Sequence, residues 1–467
     1  MIGNSWPEYL FIRIAIFALR LIAPLSLIHL AASYHAGAFL LSPFLGAYAL
    51  LEAAFFLFVY LPRSYYLQRH PPRMSRAERE ALFHKCAESM TAESISGWFI
   101  RSPGGQLWRD NVVDWLLWAL FSSRTHDTLR EWQDELDYYI AVMGEYVGYP
   151  LRPGANPEMQ CLRLTMDPVP MVHRPFIWYM LVCVVDTLAS VALYFQGFTH
   201  YNTRKWFNAF PPRPLLALFS NPSRDAETNI PYWYRSHRSP TKLPILFIHG
   251  IGIGLLPYIP FLHDLVAQDP DVGILAIEIL PVSMHITSSP ARTRIAAALL
   301  IDPIPFLLHH PSIAYNFVYR RPRRANEWQL WYFASREPDT ARALSRHFFW
   351  FESILFREDR GRLPIAVSLA GRDQIVDAPA VHAYLTDGEE QGSTAEEGAA
   401  GAPSRWAQHG LEVLYFPELD HATVFDTPKD RAVLLEVLRR FVRQEGGETE
   451  TEVDTAVASV DDLIDVE

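Results

Sequence analysis

Three short stretches hold residues whose types and spacing could do chemistry. "FIHGIGIG" sets His249, Gly250, Gly252 and Gly254 behind an apolar run, and glycines there let backbone N–H groups approach a ligand closely enough to stabilise an oxyanion. "AGRDQIVD" sets Asp373, and "ELDHATVFD" sets His421, each behind another apolar run. An acid that orients a histidine, and a histidine that moves a proton, are the two non-nucleophilic parts of an acyl-transfer site. For Asp373 the plain alternative is an acid that caps the turn after its strand. Phosphate chemistry is excluded for the glycine stretch, which has neither GxGxxG spacing nor the lysine of GxxxxGK[ST]. His421 also precedes Asp426 in an H-x4-D spacing, as His382 precedes Asp387, which matches some acyltransferases. With 17 histidines in the chain, about one such match arises by chance. His285 in "SMHIT" reads equally as a cleft residue and as a satisfied loop histidine.

The elements that must position these residues begin at Leu243, where short β-branched runs start to alternate with turn and helix signals, the texture of an α/β sheet. Strands are expected at 243–249, 272–280, 297–303, 363–371 and 411–417, and their continuous apolarity requires cover on both faces. Parallel strands bring His249, Asp373 and His421 to one edge, the carboxyl ends, where ligands bind.

A glycine turn, an acid and a histidine at the ends of successive strands, in that order, resemble the α/β-hydrolase family over about residues 236–443. The stretches "HGIGIGLLPYIPFLHDL", "SMHIT", "DPIPFLL", "NEWQLWYFASRE" and "GRDQIVD" are similar to a membrane-anchored branch of that family with an N-terminal apolar hairpin. The resemblance implies an α/β-hydrolase-like, mostly parallel sheet and hydrolysis of an ester or lipid-like acyl substrate, with no metal and no organic cofactor. It further implies an oxyanion-hole loop at His249, Gly250, Ile251 and Gly252, a triad acid at Asp373 and a general base at His421.

The nucleophile is missing. A serine exposed on a strand-to-helix turn needs the small neighbours of GxSxG, and no serine here has glycine on both sides at that spacing. Ser96 and Ser102 fall in the helical region, Ser368 lies within a strand, and Cys86, Cys161 and Cys183 all precede the sheet. In the family, a helix, the nucleophile strand, its elbow and a second helix separate the strands like 272–280 and 297–303. Here about sixteen residues do, against roughly 30 or more for a single βαβ unit. The resemblance therefore implies a sheet truncated by block removal near Pro290 to Ile295, and a chain inactive as written. Three explanations stay open: a coding segment missing from the sequence, which fits best because both flanks remain hydrolase-like; a pseudoenzyme acting as a membrane scaffold or lipid-binding protein; and catalysis, acyl transfer included, by other residues. Strands 272–280 and 297–303 are expected either to close up and pair or to leave a damaged sheet.

Upstream, residues 9–32 and 36–61 are each apolar and long enough to cross a hydrocarbon core, and together read as a membrane hairpin within 1–70. Arg13 and Arg20 share one helical face and must snorkel or face a partner. The start of the chain lacks the positive n-region and A-x-A site of a signal peptide. Arg63, Arg69 and Arg73 beside Tyr65 and Tyr66 have the pattern of a cytosolic interface. The hydrolase domain is therefore expected on the cytosolic side of an endoplasmic-reticulum-like membrane. Residues 71–235 are expected to be helical, opening with a capping box at Ser75 and Glu78. The apolar run 176–195 holds Asp186 near its middle, which favours a helical cap or a helix lying on the membrane over a span. Residues 387–404 read as a polar low-complexity insertion and 444–467 as an acidic tail. The aromatic clusters at 326–333 and 347–351 are expected to pack as lid or helix, with an acyl-chain pocket as the alternative.

The chain of 467 residues carries a formal charge of −11, but fourteen acids lie in 387–397 and 445–467 without a Lys or Arg. Without them the folded part is near +3, so no nucleic-acid surface is implied. Half of the residues are apolar and 13% aromatic, which suits a protein with apolar surface in contact with a lipid bilayer. The three scattered cysteines read as buried thiols in a reducing compartment rather than a disulfide framework or metal site.

Overall fold

The structure, a computed structural model, describes residues 2–60, 74–101, 105–123, 129–202, 209–222, 230–287, 298–361, 363–388 and 403–443. The junction Pro290 to Ile295, the acidic tail, the insertion from 389 to 402, Ser102 and the cluster from Arg63 to Arg73 lie outside the described residues.

The chain is a mixed α/β fold whose strands form two larger sheets. The first contains β1 (Thr199–Asn202), β2 (Tyr232–Arg235), β3 (Ile245–Ile248) and β4 (Ile274–Ile277), in the order β1, β2, β4, β3, with Asn221–Pro222 beyond β1. The second contains β5 (Ala298–Ile301), β6 (Ile365–Ala370), β7 (Ser404–Gln408) and β8 (Leu411–Phe416), in the order β5, β6, β8, β7. β3 runs parallel to β4, β5 to β6, and β6 to β8. Each of the five expected apolar runs contains a strand.

Three departures have physical causes. The sheet begins before residue 236, because "YWYR" at β2 alternates about a fully buried Trp233 and pairs antiparallel with β4. β7 begins at Ser404, inside the expected insertion, and turns into β8 through His409 and Gly410, both at positive φ, the geometry of a two-residue hairpin. Lastly, 272–280 and 297–303 are not the strands left facing each other. β4 is laddered on both sides, by β2 and β3, and the strands that end their sheets here are β3 and β5. The crossover from β3 through α5 (Ile259–Gln268) carries the chain back toward β2, so the later strand, β4, is the inner one and β3 the edge. All four residues of β3 and of β5 are only half-buried, whereas β6 is buried throughout.

A shared helix layer holds the two sheets together. Ile245 and Phe247 of β3, Leu299 and Ile301 of β5, Ala366 of β6 and Leu414 of β8 enter one core with Leu262 of α5 and with Leu434 and Val437 of α7 (Pro428–Val442). Burial of each large apolar side chain stabilises by about 1.5–3 kcal/mol. Arg431 of α7 pairs with Asp264 of α5 at 2.8 Å, and the Leu243 N–H donates to Val442 O. The opposite face of the second sheet packs Val367, Leu369 and Val413 on Val381 and Leu385 of helix Ala378–Thr386.

At the N-terminus, α1 (Trp6–Ala36) opens on a Ser5–Glu8 capping box and closes at Gly37 in the left-handed region. It packs against α2 (Pro43–Phe55) as a hairpin. Helix α1 and α3 (Phe176–Phe195) are long and apolar enough to cross a membrane by length and composition; α2 is not. Among the described residues the second apolar helix is shorter than the expected run 36–61. The turn before Pro43 shortens it, and Glu52, fully buried, pairs with His173 Nε2 (3.0 Å) and accepts the Phe176 N–H (2.8 Å), tying α2 to the start of α3. Ile12 and Ile16 of α1 pack on Ala325 and Tyr332, at and beyond α6 (Ala325–Leu330), and Arg13 stacks 4.0 Å from the Trp328 ring. Arg13 thus faces the α/β domain rather than α2 or lipid. The helices from Arg76 to Val147 enclose their own core around Trp98, Trp115, Trp118 and Tyr139, opened by the expected Ser75–Glu78 box.

Candidate functional site

The residues that could do chemistry stand on loops after β3, β5, β6 and β8. Gly371 follows β6 at a point where a Cβ would lie 2.7 Å from Pro417 Cα, so only glycine lets the loops after β6 and β8 touch. Its N–H donates to Phe416 O (2.8 Å), and that of Arg372 to Leu419 O (2.9 Å). Asp373 is buried behind this zipper. Its Oδ1 accepts the N–H groups of Ile375 (2.7 Å) and Val376 (3.0 Å), and its Oδ2 meets His421 Nδ1 at 2.7 Å. Turn capping and pairing with histidine are divided between its two oxygens.

A quarter of the His421 side chain is exposed. Burial opposes its charge, but the Asp373 carboxylate, with Asp302 and Asp420 behind it, outweighs that and raises the imidazole to about 9. With Nδ1 engaged, Nε2 is the ring nitrogen left for proton transfer.

Asp302 is the residue that sequence reasoning missed. It ends β5 at φ 45°, buried, with Oδ1 accepting the Ala370 N–H (2.8 Å) and Oδ2 the Ala422 N–H (2.7 Å). One side chain thereby joins β5, β6 and the histidine loop. Burial, with the Asp373 charge adding to it, raises its carboxyl to about 6. Asp302, Asp373 and His421 lie close enough to hold a cation. All four carboxylate oxygens also accept hydrogen bonds within the cluster.

Asp420 fastens the same loop. Its Oδ1 accepts the His421 N–H (2.8 Å) and the Gln374 N–H (3.1 Å), and its Oδ2 accepts from Asn326 Nδ2 (2.7 Å) on α6. Asn326 N–H donates to Asn4 Oδ1 (3.3 Å) just before α1. A cleft of about 700 Å³ opens there, lined by Ile2, Asn4, Arg320, Arg324, Asp373 and Asp420, and so reaches the acid from the side of α1.

In the glycine loop, His249 Nε2 accepts the Ile279 N–H (2.9 Å), and its Nδ1 lies 2.7 Å from Gly250 O. The Gly252 N–H donates to Val282 O (3.0 Å). These two residues fasten the loop to the end of β4. The Gly250 N–H points to the Tyr258 hydroxyl, whereas that of Ile251 takes no partner among the described residues, so Ile251 is the donor open to an oxyanion and Gly250 the one that the Tyr258 hydroxyl holds. Beyond the loop, Tyr258 and Phe261 pack edge-on to Phe425, with centroids 4.9 and 5.3 Å away, four residues past His421.

No serine or cysteine among the described residues is hydrogen-bonded to His421. Ser368 is buried in β6, Ser96 donates to Glu93 O, and Ser283 donates to Ile279 O. Cys86 and Cys161 are buried thiols, the former pushed up to about 12 by burial. His285 is buried with Nδ1 on Ser283 O (2.7 Å), a loop histidine. Neither H-x4-D spacing forms a pair at the site: His421 Nδ1 takes Asp373 while Asp426 is exposed, and Asp387 binds Arg357. The aromatic cluster from 347 to 351 leaves a cavity of about 40 Å³, room for one water rather than an acyl chain.

A second serine–histidine–carboxylate contact lies beneath the first sheet. Ser220 Oγ is 2.5 Å from His200 Nδ1, and His200 Nε2 is 3.1 Å from Glu278 at the end of β4. Glu278 also accepts from Trp233 Nε1 and twice from Arg213, which holds Asp186 of α3. His200 is fully buried and Ser220 nearly so, and burial drives the imidazole down. This is an enclosed ion network that bolts α3 and α4 (Pro214–Phe219) to the sheet.

No protein-family model and no curated protein matches the sequence. Among solved structures, the chain is similar to a membrane phospholipase A described as a bacterial virulence factor, at 10% identity and a TM-score of 0.32, over 57% of this chain and 94% of that one. A hydrolase from Pseudomonas aeruginosa PA01 gives 11% identity and 0.28, over 46% and 96%. A carboxylesterase of Nitrososphaera gargenis gives 12% and 0.29, over 48% and 98%.

Proposed function

We propose that this chain is a membrane-associated α/β-hydrolase-type protein that carries the acid–histidine half of an ester or lipid acyl hydrolase site and, in the sequence given, no nucleophile. The observation that supports this most strongly is the 2.7 Å contact between Asp373 Oδ2 and His421 Nδ1 at the carboxyl ends of parallel strands. The Ile251 N–H in the glycine loop suits an oxyanion, and His421 Nε2 suits the proton that a nucleophile would give up. Among the described residues the outer margins of β3 and β5 have no ladder partner, which fits the loss of one parallel strand from between them. The Asp373 carboxylate that raises the imidazole to about 9 also stabilises the imidazolium that proton transfer to Nε2 would form.

A fluorophosphonate probe, which labels activated serines, tests the reading together with hydrolysis of a nitrophenyl ester. The expected results are no labelling and no hydrolysis above that of His421→Ala. Labelling of any serine overturns the missing nucleophile. Ester hydrolysis that His421→Ala abolishes, without labelling, would assign the chemistry to other residues.

A further inference from the structure

Helix α3 is fixed to the protein along one face. Tyr179, Val182, Ala189, Ser190 and Leu193 are buried, and Tyr179 OH donates to Glu337 Oε1 (3.1 Å). Asp186 accepts two N–H groups of Arg213 (2.7 and 2.9 Å), whose guanidinium also grips Glu278 at the sheet. The other face presents Ile177, Leu181, Val184, Leu188, Val191 and Phe195, from 37% to 89% exposed. They follow one another at steps of four and three, so they form one stripe about 27 Å long. No charged residue interrupts it, because the only acid of the helix points inward to Arg213. Beside α3, α4 adds Leu218 and Phe219, both more than 60% exposed.

An unbroken hydrocarbon stripe of this length is not a soluble surface, and a protein interface would carry a polar rim. The stripe adjoins the apolar hairpin: Glu52 of α2 accepts the first free N–H of α3, next to the exposed Leu50 and Leu51. We propose that the outer faces of α3 and α4 insert into a lipid leaflet beside α1 and α2, so that the protein rests in the bilayer from one side on two apolar surfaces. Helix α3 is not free to cross alone, since it is bolted to the sheet through Arg213. This inference rests on the membrane association proposed above and adds a second, non-hairpin contact to it.

The test places the photocrosslinker p-benzoylphenylalanine at Leu181, Leu188, Phe17 or Ala407 of the full chain, reconstituted with vesicles of phosphatidylcholine and phosphatidylserine. Ala407 is an exposed position on β7, far from any apolar helix in sequence. The expected result is a phospholipid adduct at Leu181, Leu188 and Phe17 at least about fivefold above Ala407. A covalent dimer at Leu188 would show that a second copy covers the stripe and overturn the proposal. Lipid adducts at Phe17 without any at Leu181 and Leu188 would overturn it while leaving the hairpin's membrane role intact. Absence of adducts at all three apolar positions would remove both.

Discussion

Replacing Asp373 by Asn isolates the charge of the acid–histidine pair. Asn retains an Oδ1 to accept the N–H groups of Ile375 and Val376, so the loop keeps its shape, and what is lost is the negative charge 2.7 Å from His421 Nδ1. In the intact chain the imidazole is held at about 9, against an ordinary value of about 6.5, and that difference corresponds to about 3 kcal/mol of preference for the imidazolium. Asp373 is the largest of the influences that raise it, so Asp373→Asn is expected to lower the His421 titration by about 1.5–2.5 units. Nitrogen-detected NMR of the imidazole resonances in detergent micelles, with His421 assigned from His421→Gln, reads this directly. Stability follows the same linkage. A pKa raised on folding gives a contribution that is whole below about 6.5 and fades as pH climbs to about 9, so the wild type should lose up to about 1.4 kcal/mol per pH unit across that window relative to Asp373→Asn. A His421 titration that stays put in Asp373→Asn, or parallel stability profiles for the two proteins, would refute the pairing.

Hydrogen exchange should find outward amides of β3 and β5 exchanging much faster than those of β6, which is laddered on both sides; uniform protection across the three strands would mean that β3 and β5 are paired after all. Arg213→Met leaves Asp186 and Glu278 buried without their shared cation and should cost about 3–5 kcal/mol in denaturant unfolding; a loss under about 1 kcal/mol would show that the network is not what fastens α3.

The positions of Asp373 and His421 were legible because strands covered on both faces leave unbroken apolar runs, and parallel strands put whatever follows them on one edge. Asp302 was not. An acid followed by Pro303 reads as a turn, and its meaning comes from two N–H donors 68 and 120 residues away. The glycine loop was legible as a loop, but not the division of labour in which His249 and Gly252 hold it, Gly250 meets the Tyr258 hydroxyl and Ile251 stays open. Apolarity also marked β3, β4 and β5 as strands without saying which would lie innermost, since that depends on the direction of a crossover. The short β1 and β2 escaped notice because four residues alternating about one buried side chain, His200 in β1 and Trp233 in β2, are too brief a pattern to separate from a loop. Similarly, the run 36–61 was apolar enough to suggest a span, while the partners that Glu52 takes lie far downstream.

Those partners also set an order of events during synthesis. Glu52 draws on His173 and on the N–H of Phe176, 121 and 124 residues further along. At about 5–20 residues per second, α2 leaves the ribosome about 6–25 s before either exists. In that interval its carboxylate has Tyr48 on the same helix to turn to, and a charge at the centre of an apolar helix is costly inside hydrocarbon. The nascent α2 therefore waits where water can reach Glu52, and its seat is completed only when α3 arrives. The apolar hairpin is thus finished only after more than a hundred further residues have been made.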